Sequence, residues 1–393
     1  MLDTVLIKMN TTNKNLVFNI LTILLFGVNS IFAQSIKYSS FQPGEIWKDN
    51  NGIHINAHGG GILYQKGTYY WYGEHKIEGK AGNAAHVGVH CYSSKDLYNW
   101  KDEGISLSVV NDTASDIQKG CTLERPKVIY NAKTKKYVMW FHIEKKGKGY
   151  KYAHSGVAVS AKPTGPFKFI GSVRSNPGHW PINVLPIHKQ PVSDYVKKTY
   201  FPGGGFPGNI DTLNILGKFF DEGQMERDMT LFVDDDGKAY HIYASEYNAT
   251  LQIAQLSDDY TTHNGRYVRA FAGLFMEAPA IFKHNGLYYI IMSGTTGWLP
   301  NPGRAAVAPS IWGPWTETGN PFVDADLETS YHSQSTYILP VAGKKDAFIF
   351  MGDRWRPDNA IDGRYVWLPI EFEGDKMVLH WYENWDLSKF NSN

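Results

Sequence analysis

Cysteine is nearly missing: Cys91 and Cys121 are the two in 393 residues. At most one disulfide can form, so a small cross-linked scaffold is excluded and the chain must fold on a packed core. Charge of one sign is missing too, with 39 Lys+Arg against 38 Asp+Glu and a formal net charge of +1. Such a balance provides no basic field for nucleic acid or an anionic membrane, and points to a small, neutral partner. Amphipathic helical patterns are almost absent after the first segment, which removes doubly wound and α/β-barrel folds. Beyond that segment no run approaches the roughly 18 unbroken apolar residues of a membrane-spanning helix.

The first segment reads as a leader. Lys8 and Lys14 precede the apolar run Leu16–Val28, and Ser30-Ile31-Phe32-Ala33 ends in a small residue suited to cleavage before Gln34. Residues 1–33 are therefore expected to be a signal peptide, and residues 34–393 an exported chain in the periplasm or outside the cell, with no membrane insertion after processing. Three other motifs lack what their chemistry needs. His58-Gly59-Gly60-Gly61 has the look of an oxyanion loop, yet no Gly-x-Ser-x-Gly elbow accompanies it. Pro202–Gly208 is Gly-rich without the Lys-Ser/Thr of a phosphate loop. Asp234-Asp235-Asp236-Gly237 lacks the alternating ligands and closing Glu of a calcium loop, and reads as a hairpin turn.

What is abundant is Tyr, Trp, Gly and Pro, the composition of strands punctuated by tight turns. A turn followed by an aromatic-rich strand returns five times, at Gly67–Glu74, Lys135–His142, Gly237–Ser245, Gly286–Gly294 and Lys345–Asp353. Short apolar strands precede each, at Ile62–Tyr64, Lys127–Tyr130, Thr230–Val233, Ala280–Phe282 and Tyr337–Pro340, so every unit opens with a hairpin. A second signature, a small residue leading to an aromatic at a turn, follows at Ser93–Trp100, Ser160–Phe167, Leu256–Tyr260 and Pro309–Trp315. Five such units predict an all-β fold, a single five-bladed β-propeller over 34–393. An insertion at about 172–224 interrupts the spacing; its aromatics, including His179, Trp180, Tyr195, Tyr200 and Phe201, predict an ordered flap over one face.

In a propeller the residues leading into each innermost strand gather around the channel. Glu124, Asp228, Glu277 and Gln334 hold that place in four units, and Asn56–Gly61 in the first. Glu277 sits among Met276, Ala278 and Pro279, a setting that raises a carboxyl pKa toward that of a general acid. Grouped carboxyls around a funnel suit glycoside hydrolysis, with Trp298 and Trp355 as platforms for sugar faces.

Met276-Glu277-Ala278-Pro279, the aromatic hairpins and the Gly-Pro-Phe and Gly-Pro-Trp turns resemble glycoside hydrolase family 43, whose members are five-bladed propellers that invert the anomeric centre. The likeness runs over nearly the whole chain after the leader. Ala57–Gly61, Glu124–Asn131, Arg227–Phe232, Ser293–Trp298 and Ser333–Tyr337 are similar to the branch containing exo-β-1,3-galactanases. The resemblance implies that Glu277 is the general acid and that Asp228 tunes and orients it. It further implies that Glu124 contacts the sugar and that Gln334 holds the attacking water. The usual family base, an aspartate at the first opening strand, is absent here, as in the galactanase branch; His58 is a second candidate for that role. Glu74, His58, Asn248, Thr296, Trp298 and Asp353 are the expected substrate contacts.

The expected activity is thus release of galactose from β-1,3-galactan or an arabinogalactan-type polysaccharide. An α-L-arabinofuranosidase, a β-galactofuranosidase and a silent glycan-binding propeller are the alternatives. No cofactor is required, while a structural calcium ion on the propeller axis is compatible with the family.

Overall fold

Tight turns set the hairpins. Lys66-Gly67 and Asn285-Gly286 take positive φ at both central residues (50° and 75°, 49° and 79°), the backbone of a two-residue turn that matches strand twist. The computed structural model describes residues 37–391, and the leader expected at 1–33 lies outside them.

Blade 1 is a meander of β1 (His58–Gln65), β2 (Thr68–His75), β3 (Gly88–Ser94) and β4 (Lys101–Ser108). Blade 2 follows with β5 (Thr122–Asn131), β6 (Lys136–Glu144), β7 (His154–Ser160) and β8 (Lys168–Val173). The insertion carries two short helices, α1 (Asp194–Lys198) and α2 (Ile215–Lys218). Blade 3 is β9 (Met229–Val233), β10 (Ala239–Ser245), β11 (Thr250–Leu256) and β12 (His263–Ala270). Blade 4 comprises β13 (Met276–His284), β14 (Leu287–Gly294), β15 (Arg304–Ala308) and β16 (Thr316–Gly319). Blade 5 has three strands, β17 (Gln334–Pro340), β18 (Phe348–Arg354) and β19 (Arg364–Pro369), before a small ribbon of β20 (Glu371–Glu373) and β21 (Lys376–Val378). The innermost strands β1, β5, β9, β13 and β17 each pack on the next, and β17 returns to β1. That closure makes the five-bladed ring. No helix among the described residues is long and apolar enough to cross a membrane.

Strands with both faces covered read as apolar runs, and here the cores lie between blades. Tyr72, Val89, Met139 and Phe141 fill the seam of blades 1 and 2; Trp140, Leu231 and Tyr243 that of 2 and 3; Ile242, Ile253, Ile281 and Ile290 that of 3 and 4. Blades 5 and 1 close on a tryptophan cluster in which Trp71 lies 4.8 Å from Trp367 and 5.3 Å from Trp100. Cys91 and Cys121 are buried in the first seam as free thiols.

The insertion builds a core of its own from Val196, Phe201, Ile215, Phe219 and Met225, laid against Tyr247 and Ala249 of blade 3. Its neck is an antiparallel bridge between Ser175 and Gln224, so Ser172 and Val173 end β8 rather than begin the flap.

The chain ends seal the last seam. Phe41 N–H donates to Trp385 O at 2.7 Å, and Trp385 N–H returns to Phe41 O at 3.2 Å. The Phe41 ring stacks on Trp385 at 4.4 Å and is 2% exposed. Phe41→Ala is expected to cost about 3–5 kcal/mol, read as a lower urea midpoint at unchanged m-value. A loss below about 1 kcal/mol would mean that closure does not depend on this contact.

Candidate active site

Four of the five innermost strands carry a register shift at the same end: between His58 and Gly61, Glu124 and Lys127, Glu277 and Ala280, and Ser335 and Tyr337. A bulge bends its strand and re-aims the side chain beside it. The residue after each of the first three starts is left-handed, Gly59 (φ 59°), Arg125 (58°) and Ala278 (54°), a conformation that non-glycine residues adopt at a cost. A Cβ at Gly59 would also crowd the Glu74 carboxyl, lying 2.3 Å from its Oε1.

These bulged ends open into a cavity of about 430 Å3 bounded by all five blades and by Tyr200, Pro202 and Gly203 of the insertion, a volume in the range of small-ligand sites. At its floor Glu277 is 9% exposed. Its Oε2 accepts from Asn248 Nδ2 at 2.9 Å and its Oε1 from Gln334 Nε2 at 3.2 Å. Arginines fix both amides. Asn248 Oδ1 accepts from Arg227 at 3.3 Å, while Gln334 Oε1 accepts from Arg125 at 2.5 Å and from the Trp355 indole at 2.9 Å. Since guanidinium and indole nitrogens can only donate, each carbonyl must face them and each NH2 must face Glu277. Burial pushes the Glu277 carboxyl up to about 8; the Asp228 charge adds to the rise, and Arg125 opposes it.

Glu124 has the opposite environment. Burial would raise it, but the hydrogen bond and charge of His142 outweigh burial, Lys76 and Tyr150 add to the effect, and the carboxyl falls to about 2. His142 Nδ1 is 3.0 Å and Tyr150 Oη 2.9 Å from its oxygens. Burial pulls His142 down, yet hydrogen bonds to Glu124 and Glu144 raise it to about 9, so it stands as an imidazolium. Asp228 accepts from Arg125 at 2.9 Å. Glu74 pairs with Lys76 at 2.5 Å and accepts from Arg125 N–H at 3.0 Å.

Glu277, Asp228, Glu124, Gln334, Glu74, Asn248 and Trp298 all line this cavity, and Trp355 stands edge-on to Trp298 at 5.9 Å. Three expected sugar contacts do not. His58 is wholly buried, its ring stacked on Tyr365 at 5.3 Å, and burial holds its pKa well below the usual histidine range. Shielded in this way, it cannot reach substrate or act as base. Asp353 lies under the floor, accepting from Gly59 N–H at 2.5 Å, and borders a neighbouring hollow instead. Thr296 spends its hydroxyl on Leu299 O and Asn301, while Thr295 and Gly297 face the cavity.

Lys76, His142, Tyr150, Tyr200, Arg227 and Tyr247 are wall residues that sequence reading did not assign. A signal existed for one of them, His142, because in four blades the strand returning from the hairpin ends in a polar residue opposite the site position: Glu74 opposite His58, His142 opposite Glu124, Ser293 opposite Glu277, Asp353 opposite Gln334.

A structural calcium ion is compatible with the family, but the donors around Lys127 do not suit one. Lys127 reaches from β5 toward β1, its ammonium taking Gly59 O at 2.8 Å and Arg125 O at 3.4 Å. Those carbonyls are occupied, and a calcium shell needs six to eight oxygens.

Two carboxyls held in one cavity, one protonated to about 8 and one ionised from about 2, on a ring of five blades define a glycoside hydrolase. The family model for glycosyl hydrolases family 43 matches residues 209–364. A family 43 β-1,3-galactosidase solved with galactodeoxynojirimycin is 49% identical, with a TM-score of 0.83 over 88% of this chain and 100% of that one. An exo-β-1,3-galactanase from Phanerochaete chrysosporium, solved with β-1,3-galactotriose, is 31% identical (TM-score 0.71, 89% of this chain, 68% of that one). Another from Clostridium thermocellum is 35% identical (TM-score 0.70, 88% and 66%). A search of curated proteins by sequence found no match. The chain belongs to glycoside hydrolase family 43.

The raised Glu277 pKa has a consequence for stability. The folded state holds this proton to about 8 against an ordinary value of 4.5. Its contribution is therefore complete below the ordinary value and is lost as pH rises toward the folded one. Glu277→Gln removes that loss, so the variant should gain stability relative to the parent between about pH 5 and about pH 8, measured by urea unfolding. An equal difference at both ends would show that Glu277 ionises at an ordinary pH.

Proposed function

We propose that this protein is an exo-acting glycoside hydrolase that releases galactose from the ends of β-1,3-galactan or arabinogalactan-type chains, inverting the anomeric centre, with Glu277 as general acid. The observation that carries the reading is the buried Glu277 carboxyl at the floor of the shared cavity, its pKa pushed up to about 8 by burial, in a chain 49% identical over its relative's full length to a β-1,3-galactosidase. The insertion residues Tyr200, Pro202 and Gly203 wall that cavity, which suits a site that takes a chain end rather than a chain interior.

In this reading Glu277 donates its proton to the departing glycosidic oxygen while water bonds to the anomeric carbon from the opposite face and releases a proton to solvent. The carboxylate left behind is met by N–H donors from Asn248 and Gln334, which stabilise the charge as it forms. Asp228 keeps the proton on Glu277 until it is needed. Glu124, ionised and fixed by His142 and Tyr150, accepts from sugar hydroxyls, and Trp298 supplies an apolar face. Gln334 already uses both amide hydrogens, on Glu277 and Ser293, and accepts from two donors. It is therefore a positioning residue for Glu277, and engages water only when substrate displaces one of those partners. Export by the segment 1–33 would place the enzyme where polymeric substrate is met.

Incubation with β-1,3-galacto-oligosaccharides should release single galactose units, with NMR showing the anomer opposite to that of the bond cleaved. Glu277→Gln should lower kcat about 10²–10⁴-fold with oligosaccharide affinity little changed, and parent activity should fall on the alkaline side near the Glu277 pKa of about 8. Intact oligosaccharide bound but uncleaved by the parent would leave a glycan-binding propeller as the reading.

A further inference from the structure

Between blades 2 and 3, away from the cavity, three side chains with metal-ligand chemistry face one another: Glu226 on the segment entering β9, His241 on β10 and His263 at the start of β12. One donor atom from each lies within 4.8 Å of the other two. His241 Nδ1 is 3.1 Å from His263 Nε2, and His263 Nε2 is 3.5 Å from Glu226 Oε1. Glu226 and His241 are 0% exposed. Trp140 of blade 2 covers both imidazoles at ring separations of 5.1 and 5.0 Å. Among the described residues neither Glu226 oxygen has a hydrogen-bond partner of ordinary geometry; the Ser155 and Ser175 hydroxyls lie beside the carboxyl and act to stabilise its charge.

A buried carboxylate with both oxygens unsatisfied is costly, and the facing imidazole nitrogens, His241 Nδ1 and His263 Nε2, are bonded to each other rather than to it. A cation between the three groups satisfies all of them at once. The spacing selects its kind. A tetrahedral ion bound at about 2.0–2.1 Å keeps its ligand atoms about 3.4 Å apart, and the two measured separations, 3.1 and 3.5 Å, fall on either side of that value. Two imidazoles and one carboxylate are a donor set for zinc or a similar first-row divalent ion, and a poor one for calcium, which takes an all-oxygen shell.

We propose that Glu226, His241 and His263 bind one zinc-like divalent cation, with the Ser155 hydroxyl beside them for a fourth position. The ion would be structural. It would tie blade 3 to blade 2, where Glu226 N–H already donates to Ala153 O at 3.0 Å. It would also fix the strand entry that, two residues on, delivers Asp228 to the cavity.

The test uses the untagged chain, equilibrated with zinc and then dialysed against metal-free buffer. Mass spectrometry of the metal should find about one zinc per chain, and cobalt in its place should give the visible absorption of a four-coordinate N/O site. Zinc should raise Tm and a chelator lower it in the parent. Glu226→Gln, which keeps the side chain's shape, should abolish the retained zinc, the cobalt band and the zinc-dependent Tm shift together. Should that variant fail to fold, the cobalt spectrum and stoichiometry of the parent still decide. A parent that retains no zinc, gives no cobalt band and melts at the same temperature with and without zinc overturns the proposal, as does zinc retained equally by Glu226→Gln.

Discussion

Desolvation of a single carboxyl, Glu277, is the constraint around which the rest of the molecule is arranged. A buried carboxylate without partners is too costly to keep, and a fully paired one would be too strong an acid to hold a proton near neutral pH. Here the balance is struck by two amides, each held by an arginine: Arg227 fixes Asn248, and Arg125 fixes Gln334. These groups come from blades 2, 3 and 5 and meet on a carboxyl from blade 4. Only a closed ring brings the four together, and for that reason the aromatic seam between the first and last blades, far from any chemistry, matters to it.

The same ring separates two carboxyls by environment. Glu277 is desolvated by burial and faces the like charge of Asp228, whereas Glu124 faces an imidazolium held between it and Glu144. One is pushed to about 8 and the other to about 2. Carboxyls whose surroundings drive their pKa values apart take the acid and the ionised role without further machinery. Arg125 couples the two halves, since its guanidinium reaches Asp228 and Gln334 while its backbone N–H reaches Glu74.

Much of this was legible in the residues. Turn chemistry and aromatic strands gave the blades, and the equivalent positions of Glu124, Asp228, Glu277 and Gln334 gave the centre. The failures share a cause. His58 holds the equivalent place in blade 1, but the bulge beyond it, free to form because Gly59 follows, leaves its ring under Gly363 and against Tyr365. A shift of one residue in register turns a side chain to the opposite face, and no local pattern records which way it goes. Thr296 and Asp353 failed for the related reason that their partners, Leu299 O and Gly59 N–H, are backbone groups of a loop and a bulge. Lys76 and Tyr150 escaped notice because nothing near them in the chain is catalytic; they reach the cavity through the pairing of strands and the course of a loop.

The insertion was read as a cover, and its packing argues for more. Glu246, Tyr247 and Asn248 are three consecutive left-handed residues, with φ of 50°, 61° and 68°, and each such residue costs roughly 1–2 kcal/mol without a compensating contact. Tyr247 supplies the compensation. Its ring is 2% exposed and lies in the insertion's core, 5.7 Å from Phe201 and 5.6 Å from Phe219. The turn can therefore hold its strained shape because the insertion grips its middle residue, and that shape is what presents Asn248 to Glu277 at 2.9 Å. Arg227, which orients Asn248, is in turn held by Tyr150 O at 2.7 Å, and Tyr200 of the insertion donates to the same carbonyl at 3.0 Å. One half of the clamp on Glu277 thus rests on a segment that a compact propeller would not need, so the insertion belongs to the cavity through the geometry it enforces as much as through the wall it forms.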